Sequence, residues 1–272
     1  PDYQWVREQQ GYVAQRNITF GLHVHIGVDD AERAVYVANR MRLWIGPLIA
    51  LAANSPYLDG VDTGWDAARV YAFGAFPRAG IPPKLRSYEE FAAQMDALIA
   101  ASAITKPRQI WWNVRVHPEY GTVEFRACDV QISVPRTAAI VALVQALVVA
   151  YGDAHRAGKP EPYLPGAYLE DLRWKGMRFG LSADVIDAET SEVVSMPALV
   201  ERMVEVAWPA ATKLGTTGYL DIVSEILQLG NGAAAQRAAL AEEGGDLRKL
   251  QHRLLREAVE KGIRQPGLDS LG

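Results

Sequence analysis

The stretch Ile18–Val28, ITFGLHVHIGV, decides how the rest of the chain is read. With the two-residue period of a strand, Thr19, Gly21, His23, His25 and Gly27 fall on one face. Phe20, Leu22, Val24, Ile26 and Val28 fall on the other, which is continuously apolar and predicts burial against helices. The first face carries two imidazoles on a floor of glycine and threonine. They lie about 6.5 Å apart along the strand, so they reach one cleft at different depths. Two satisfied structural histidines would give the same pattern, and other strands must discriminate between the two readings.

Upstream, Tyr3–Arg16 predicts a helix with Tyr3, Val6, Gln10 and Val13 along one stripe. Downstream, Asp29 with Glu32 three residues on forms a capping box. The good helix formers that follow predict a helix over 31–53, broken near Gly46-Pro47. The turn-rich stretch NSPYLDGVDTGWDAARVYAF (54–73) carries Asn54, Asp59, Asp62, Asp66 and Arg69 and reads as a long functional loop. Proline-punctuated FPRAGIPPKL (76–85) predicts no regular structure. Ser87 and Glu90 predict a second capping box, opening a helix to about Ser102.

Two strands follow. In IWWNVRVHP (110–118), Ile110, Trp112, Val114 and Val116 share one face; Trp111, Asn113, Arg115 and His117 share the other. In GTVEFRACD (121–129), Val123, Phe125 and Ala127 alternate with Thr122, Glu124, Arg126 and Cys128. The short PEYG link predicts an antiparallel hairpin. Three strands thus each pair a greasy face with a face of ionisable groups. Such alternation ordinarily marks a solvated outer face, but outer faces mix Lys, Glu and Thr. Here the set is His23, His25, Arg115, His117, Glu124 and Arg126, an inventory suited to anions and metal ions, which favours a cleft.

Beyond Pro135 the chain reads as mostly helical. A long apolar helix ends near Gly158-Lys159-Pro160, and EPYLPGAYLEDLRWKGMRFGLSADVID (161–187) reads as irregular, then extended. Helices are predicted over about 197–214, 219–229 and 247–261, with Gly230-Asn231-Gly232 and Gly244-Gly245 as stops. The alanine-rich stretch 233–241 stands out only as a compositional patch.

The chain has 272 residues, 49% of them apolar, and a net charge of −4 spread along its length. That leaves no basic stripe for nucleic acid and no polybasic segment for a membrane. The apolar run 138–151 is interrupted by Gln145 and too short to cross a bilayer, so it predicts a buried helix. A single cysteine, Cys128, excludes internal disulfides and fits a reducing, cytoplasmic compartment. No Walker loop, GxGxxG or GxSxG is present, and Cys128 lies on a strand without a neighbouring base. Nucleophilic catalysis therefore has no candidate.

Basic and acidic groups on one sheet face suit a polyanion held with a divalent cation. Arginine forks grip phosphate or carboxylate oxygens, and Glu124 with an imidazole can hold Mg²⁺ or Mn²⁺. The motifs LHVHIG (22–27), LAANSPYLDGVDTG (51–64) with Arg69 downstream, FPRAGIPP (76–83) and WWNVRVHPEYGTVEFRACD (111–129) resemble the carboxylate–amine ligase family. That family is also described as glutamate–cysteine ligase type 2, within the glutamine synthetase-like fold. The resemblance runs from Tyr3 through RWKGMRFGL to GNGAAAQR. It implies an α+β fold, a curved antiparallel sheet lining a cleft and backed by helices, with a helical C-terminal part. It also implies one catalytic-type domain over 1–272.

By the same resemblance, His23 and Glu124 are metal ligands, and His25 and Arg115 lie at the phosphates of ATP. Arg126 binds substrate or phosphate and acts with Arg115 in catalysis, while Asn54, Ser55 and Arg69 approach the amino-acid substrate. The implied reaction uses ATP with Mg²⁺ or Mn²⁺ to phosphorylate a carboxylate, that of the glutamate side chain. An amine then attacks the acyl phosphate to give an amide. The family opens with an acidic strand of the GVEEEF kind, which PDYQWVREQQGYVAQRNIT does not resemble. The expectation is that the first strands are absent here, and that a partner segment, a second chain or another copy covers the sheet edge. Leu172 replaces the family's asparagine, and no role is carried to it.

Two alternatives stand beside this reading. One is a non-catalytic nucleotide-binding or assembly subunit of the same fold. The other is a zinc-dependent hydrolase using the HxH strand. Among the remaining residues, Asp59, Asp62 and Asp66 read as turn residues, His117 as structural or exposed, and Cys128 as a small buried side chain. Arg173, Lys175 and Arg178 read as a solvated basic loop.

Overall fold

The alternation of the histidine strand survives folding. In β1 (Leu22–Gly27), which follows α1 (Asp2–Gln10), Val24 is buried while His23 and His25 stand open. The computed structural model describes residues 2–12, 14 and 19–263. Val13 and Arg16 of the predicted first helix, and Ile18 of the predicted strand, lie outside these. Helix α2 (Ala31–Met41) is capped by Asp30, whose carboxylate accepts from the Arg33 N–H at 2.7 Å. The expected box on Asp29 and Glu32 does not form, because Glu32 accepts instead from the Tyr88 N–H at 3.0 Å. A 3-10 turn over Arg42–Trp44 leads into α3 (Ile45–Ala52). The break therefore lies a turn before Pro47. Proline offers no N–H to the Leu43 carbonyl and crowds it, so the helix tightens there.

The loop after α3 holds a small hairpin, β2 (Tyr57–Leu58) with β3 (Val61–Asp62), and a short helix α4 (Ala68–Phe73). The proline-rich stretch is less irregular than expected, since β4 (Ala79–Gly80) pairs in parallel with β5 (Trp111–Trp112). Between them α5 (Tyr88–Ala100) starts at Ser87, whose Oγ accepts from the Glu90 N–H at 3.1 Å. Next, β6 (Val114–His117) and β7 (Thr122–Cys128) form the expected antiparallel hairpin. The main sheet runs β1-β7-β6, antiparallel throughout. His25, Glu124 and Arg115 sit in one register row across it. Between Leu22 and Val24 the register shifts, and a bulge in β7 turns Arg126 toward His23.

Val24, Val114, Val116, Val123, Phe125 and Ala127 form the underside of the sheet and join one continuous buried cluster with α2, α3 and α6 (Val134–Arg156). Helix α6 is longer than the apolar run read from sequence. By length and composition alone it could cross a membrane, yet its Ala139, Ile140, Leu143 and Leu147 are fully buried in the core. It packs against α8 (Met196–Leu214) and α9 (Thr217–Leu229).

Besides the short α4, two longer helices were not legible. Helix α7 (Gly166–Phe179) occupies the stretch read as irregular, ahead of the hairpin β8 (Asp184–Ile186) and β9 (Val193–Ser195). Its glycines weaken it intrinsically, and packing on α3 supplies the difference. The two helices cross so closely that a Cβ at Gly176 would lie 2.5 Å from the Gly46 carbonyl oxygen. Helix α10 (Gly232–Glu242) begins inside the presumed stop, because Asn231 is an N-cap whose Oδ1 accepts from the Ala234 N–H at 3.0 Å. Helix α11 (Leu247–Ile263) follows as expected.

Candidate active site

Glu124 is the centre of the open face. It is 1% exposed, and each oxygen meets a guanidinium: Oε2 accepts from Arg115 Nε at 2.5 Å, Oε1 from Arg126 Nη1. His25 Nε2 and His23 Nδ1 approach Oε1 at 3.3 and 3.4 Å. Thus His23, His25, Arg115 and Arg126, drawn from three strands, converge on the Glu124 carboxylate. Arg115 is held further by the Arg108 carbonyl at 2.7 Å and by the Ile110 carbonyl. His25 Nδ1 lies 3.0 Å from the Thr122 hydroxyl. Behind it, His117 is buried and stacks on Tyr120 at 4.4 Å, a wall of the cleft rather than an exposed turn residue.

Burial alone would raise the Glu124 carboxyl, but Arg126 and Arg115 overcome it and hold the group at about 2. His23 is pushed down to about 4, first by desolvation and then by the Arg126 charge, so its imidazole is neutral at pH 7. His117 is lowered by burial and then by Arg115. Burial pushes the Cys128 thiol up to about 12, which removes it as a nucleophile and leaves it the small buried residue expected.

Asn54, Ser55 and Arg69 form a second cluster that borders the first. Their organiser is Asp129, a residue to which sequence reasoning gave no role. Asp129 is 3% exposed and accepts from the Asn54 N–H at 2.8 Å, Ser55 Oγ at 2.7 Å and Arg69 Nε at 2.6 Å. Arg69 Nη2 donates to the Ala127 and Cys128 carbonyls, both at 2.9 Å. Its remaining nitrogen, Nη1, passes over Gly21, where a Cβ would lie 2.6 Å from it. That is why the strand leading to His23 carries glycine at this point. A pocket opens beside the cluster, lined by Phe20, Asn54, Ser55, Tyr57, Arg69 and Gln236.

The charges favour an anion. Arg69, Arg115 and Arg126 face Glu124 and Asp129, a surplus of one positive charge with His23 neutral. The case for a metal is weaker. His23 and Glu124 are adjacent as expected, but both Glu124 oxygens already accept from arginine. Among the described residues no group of three or more His, Cys, Asp or Glu side chains is arranged to hold a metal ion. These donors alone do not fit a divalent cation, and the zinc cage of the hydrolase alternative is not found among the described residues.

The family model for glutamate–cysteine ligase family 2 (GCS2) matches residues 1–260. The chain belongs to this family. A glutamate–cysteine ligase from Haloferax volcanii is 35% identical over 90% of this chain and 66% of its own length. A protein named "Putative glutamate--cysteine ligase 2" from Solibacter usitatus is 33% identical over 99% of this chain and 70% of its own. The family 2 chain thus spans about two thirds of these relatives. Its fold is similar to the crystal structure of glutamate–cysteine ligase from Francisella tularensis in complex with AMP, with a TM-score of 0.60. That likeness covers 88% of this chain and 60% of the other at 11% identity, and it shows the α+β fold alone.

Other residues that sequence reasoning passed over lie mostly on α10. Gln236 Nε2 donates to the Asn54 side chain at 2.7 Å, and Arg237 reaches Asp62 at 2.9 Å and Asp66 at 2.5 Å. Asn231 adds a bond to Asp66 at 3.1 Å. Asp62 and Asp66 are therefore ion-pair anchors that tie the 54–66 loop to α10, and not only turn residues. Arg173, Lys175 and Arg178 belong to a helix, where Arg173 pairs with Glu170, Lys175 with Asp171, and Arg178 reaches the Gly64 carbonyl. A signal existed in GNGAAAQR: an N-cap residue ahead of alanines, with Gln236 and Arg237 on the first full turn.

Proposed function

We propose that this chain carries the anion-binding face of an ATP-dependent carboxylate–amine ligase. A substrate carboxylate oxygen attacks the γ-phosphorus of ATP and ADP departs. An amine nitrogen then attacks the acyl carbon and inorganic phosphate leaves, giving an amide. The observation that carries this reading is the convergence of Arg115, Arg126 and His25 around Glu124, next to the Asn54–Ser55–Arg69 pocket. Arginines fixed by buried carboxylates are preorganised for the charge that spreads over a transferring phosphoryl group. The adjoining pocket is sized for an amino acid, and the names of the relatives make glutamate and cysteine the first substrates to try. No covalent nucleophile is needed, in keeping with the inert Cys128.

Strands β1 and β6 are outermost in the described sheet. A further strand, from another segment of the polypeptide or from a second chain, would complete the face beside His23 and His25. The test is ADP release from ATP in the presence of L-glutamate, with and without L-cysteine, by this chain and by the full-length protein. Hydroxylamine would trap the acyl phosphate as a hydroxamate. Release that depends on both amino acids is expected of the full-length protein. A folded full-length protein giving neither ADP nor hydroxamate would defeat the proposal.

A further inference from the structure

Asn113 is buried next to Arg126, with side-chain hydrogen-bonding capacity that the protein leaves unused. It joins β5 to β6 and is 5% exposed. Its main chain is engaged on both sides: the N–H donates to the Gly80 carbonyl at 2.7 Å, and the carbonyl accepts from the Arg126 N–H at 2.7 Å. Its side-chain Oδ1, by contrast, is buried and has no partner. Native interiors rarely leave such an acceptor unmatched. Asn113 sits at the bend between β5 and β6, two residues before Arg115, and its main-chain bond to Arg126 makes it that residue's cross-strand neighbour. Arg126 has the complementary deficit, because its Nε is buried without a partner while Nη1 is committed to Glu124. A dry acceptor and a dry donor therefore sit on adjacent strands of the candidate site.

We propose that Asn113 is a substrate-contacting residue that orients the attacking amine. Its Oδ1 accepts one N–H of the amine, and Arg126 Nε–H donates to the adjoining oxygen of the acyl phosphate. The amine nitrogen forms the new C–N bond. The phosphate leaves with the electrons of the C–O bond and takes up the proton that nitrogen sheds. An amide suits this position better than a carboxylate. It accepts an N–H without a charge that would hold the nitrogen as ammonium and block its lone pair. The inference rests on the ligase reading of the site given above.

The test uses the full-length protein with ATP, L-glutamate and L-cysteine. Asn113→Leu removes the acceptor at nearly constant volume. It is expected to raise KM for cysteine tenfold or more, leaving KM for ATP within twofold and Tm unchanged or higher. Asn113→Asp keeps the shape and adds charge, and should move the alkaline-going limb of the rate profile upward by about one pH unit. A merely structural asparagine would move neither. An unchanged cysteine KM in Asn113→Leu overturns the proposal, as does a rise confined to ATP, which would assign the donor to the nucleotide. Should Asn113→Leu not fold, an unshifted Asn113→Asp profile overturns it. Absence of wild-type turnover would remove the ligase reading and this inference together. Wild-type turnover with indifferent variants would remove this inference alone.

Discussion

Replacing Glu124 by glutamine should cost a large share of the molecule's stability, and the amount follows from the surroundings. The side chain is 2% exposed, and its two partners, Arg115 and Arg126, are 8% and 10% exposed. Held at about 2 against an ordinary 4.5, the ionised carboxylate contributes ~3 kcal/mol at neutral pH, at about 1.4 kcal/mol per pH unit. Removing one partner of a buried pair costs roughly 3–5 kcal/mol by analogy, since the surviving charges stay buried. Glutamine keeps one acceptor and recovers about 1 kcal/mol of this. The expected loss for Glu124→Gln is thus ~2–4 kcal/mol, a fall in Tm of about 4–16 °C for a chain of this size. The sign with pH is fixed. The folded-state value lies below the unfolded one, so the contribution is complete above about pH 4.5 and fades as pH falls toward 2. Urea unfolding of wild type and variant at neutral pH, repeated toward pH 3, measures both effects. A loss below ~1 kcal/mol at neutral pH, or a gap that fails to narrow in acid, would refute the charge arrangement described here.

Gly232→Ala should disturb the loop that carries Asn54 while sparing the fold, because alanine suits a helix start but its Cβ would lie 2.0 Å from Asn54 Oδ1. Displacing Asn54 breaks its bonds with Gln236, and KM for glutamate should rise about tenfold, ~1.4 kcal/mol, in steady-state assays. His23, at about 4, should show no imidazole titration by NMR between about pH 5.5 and 8. Because its folded value is below the unfolded 6.5, it subtracts stability as pH falls from 6.5 toward 4, and a midpoint near 6.5 would contradict the packing of Arg126 against it. Cys128 should resist a thiol-specific disulfide reagent at pH 8 until the protein unfolds, and Cys128→Ala should retain turnover; loss of turnover with an intact fold would reinstate a thiol role.

The charged sheet face of the candidate site was legible because strand alternation is local. His23, His25, Arg115, Glu124 and Arg126 reveal their common side within a few residues each, and one hairpin brings two of the three strands together. What the sequence concealed depends on distant contacts. Asp129 matters because Asn54, Ser55 and Arg69, 60 to 75 positions away, all turn toward it. Gln236 lies 182 positions from the asparagine it holds. No periodicity reports such pairings. Helix α7 escaped for an energetic reason: its stretch is intrinsically weak as a helix, and the missing side chain of Gly176 is what lets it settle against Gly46.

The Arg115–Glu124–Arg126 cluster also bears on why this sheet face is charged at all. Buried ion pairs stabilise little over apolar groups of the same volume, and exchanging a whole triad for well-packed hydrophobes is often neutral or better. Breaking the triad is costly; possessing it is not an economy. Two guanidiniums round one carboxylate carry an excess charge that the fold does not need, and the Arg126 Nε is left without a partner. Arg69 repeats the design a few ångströms along the same face, anchored by Asp129 and pointing one nitrogen past Gly21. Each buried carboxylate thus fixes one or two arginines of the candidate site in place. An anion arriving from solution, as the proposed ligase reaction requires, would use that surplus charge.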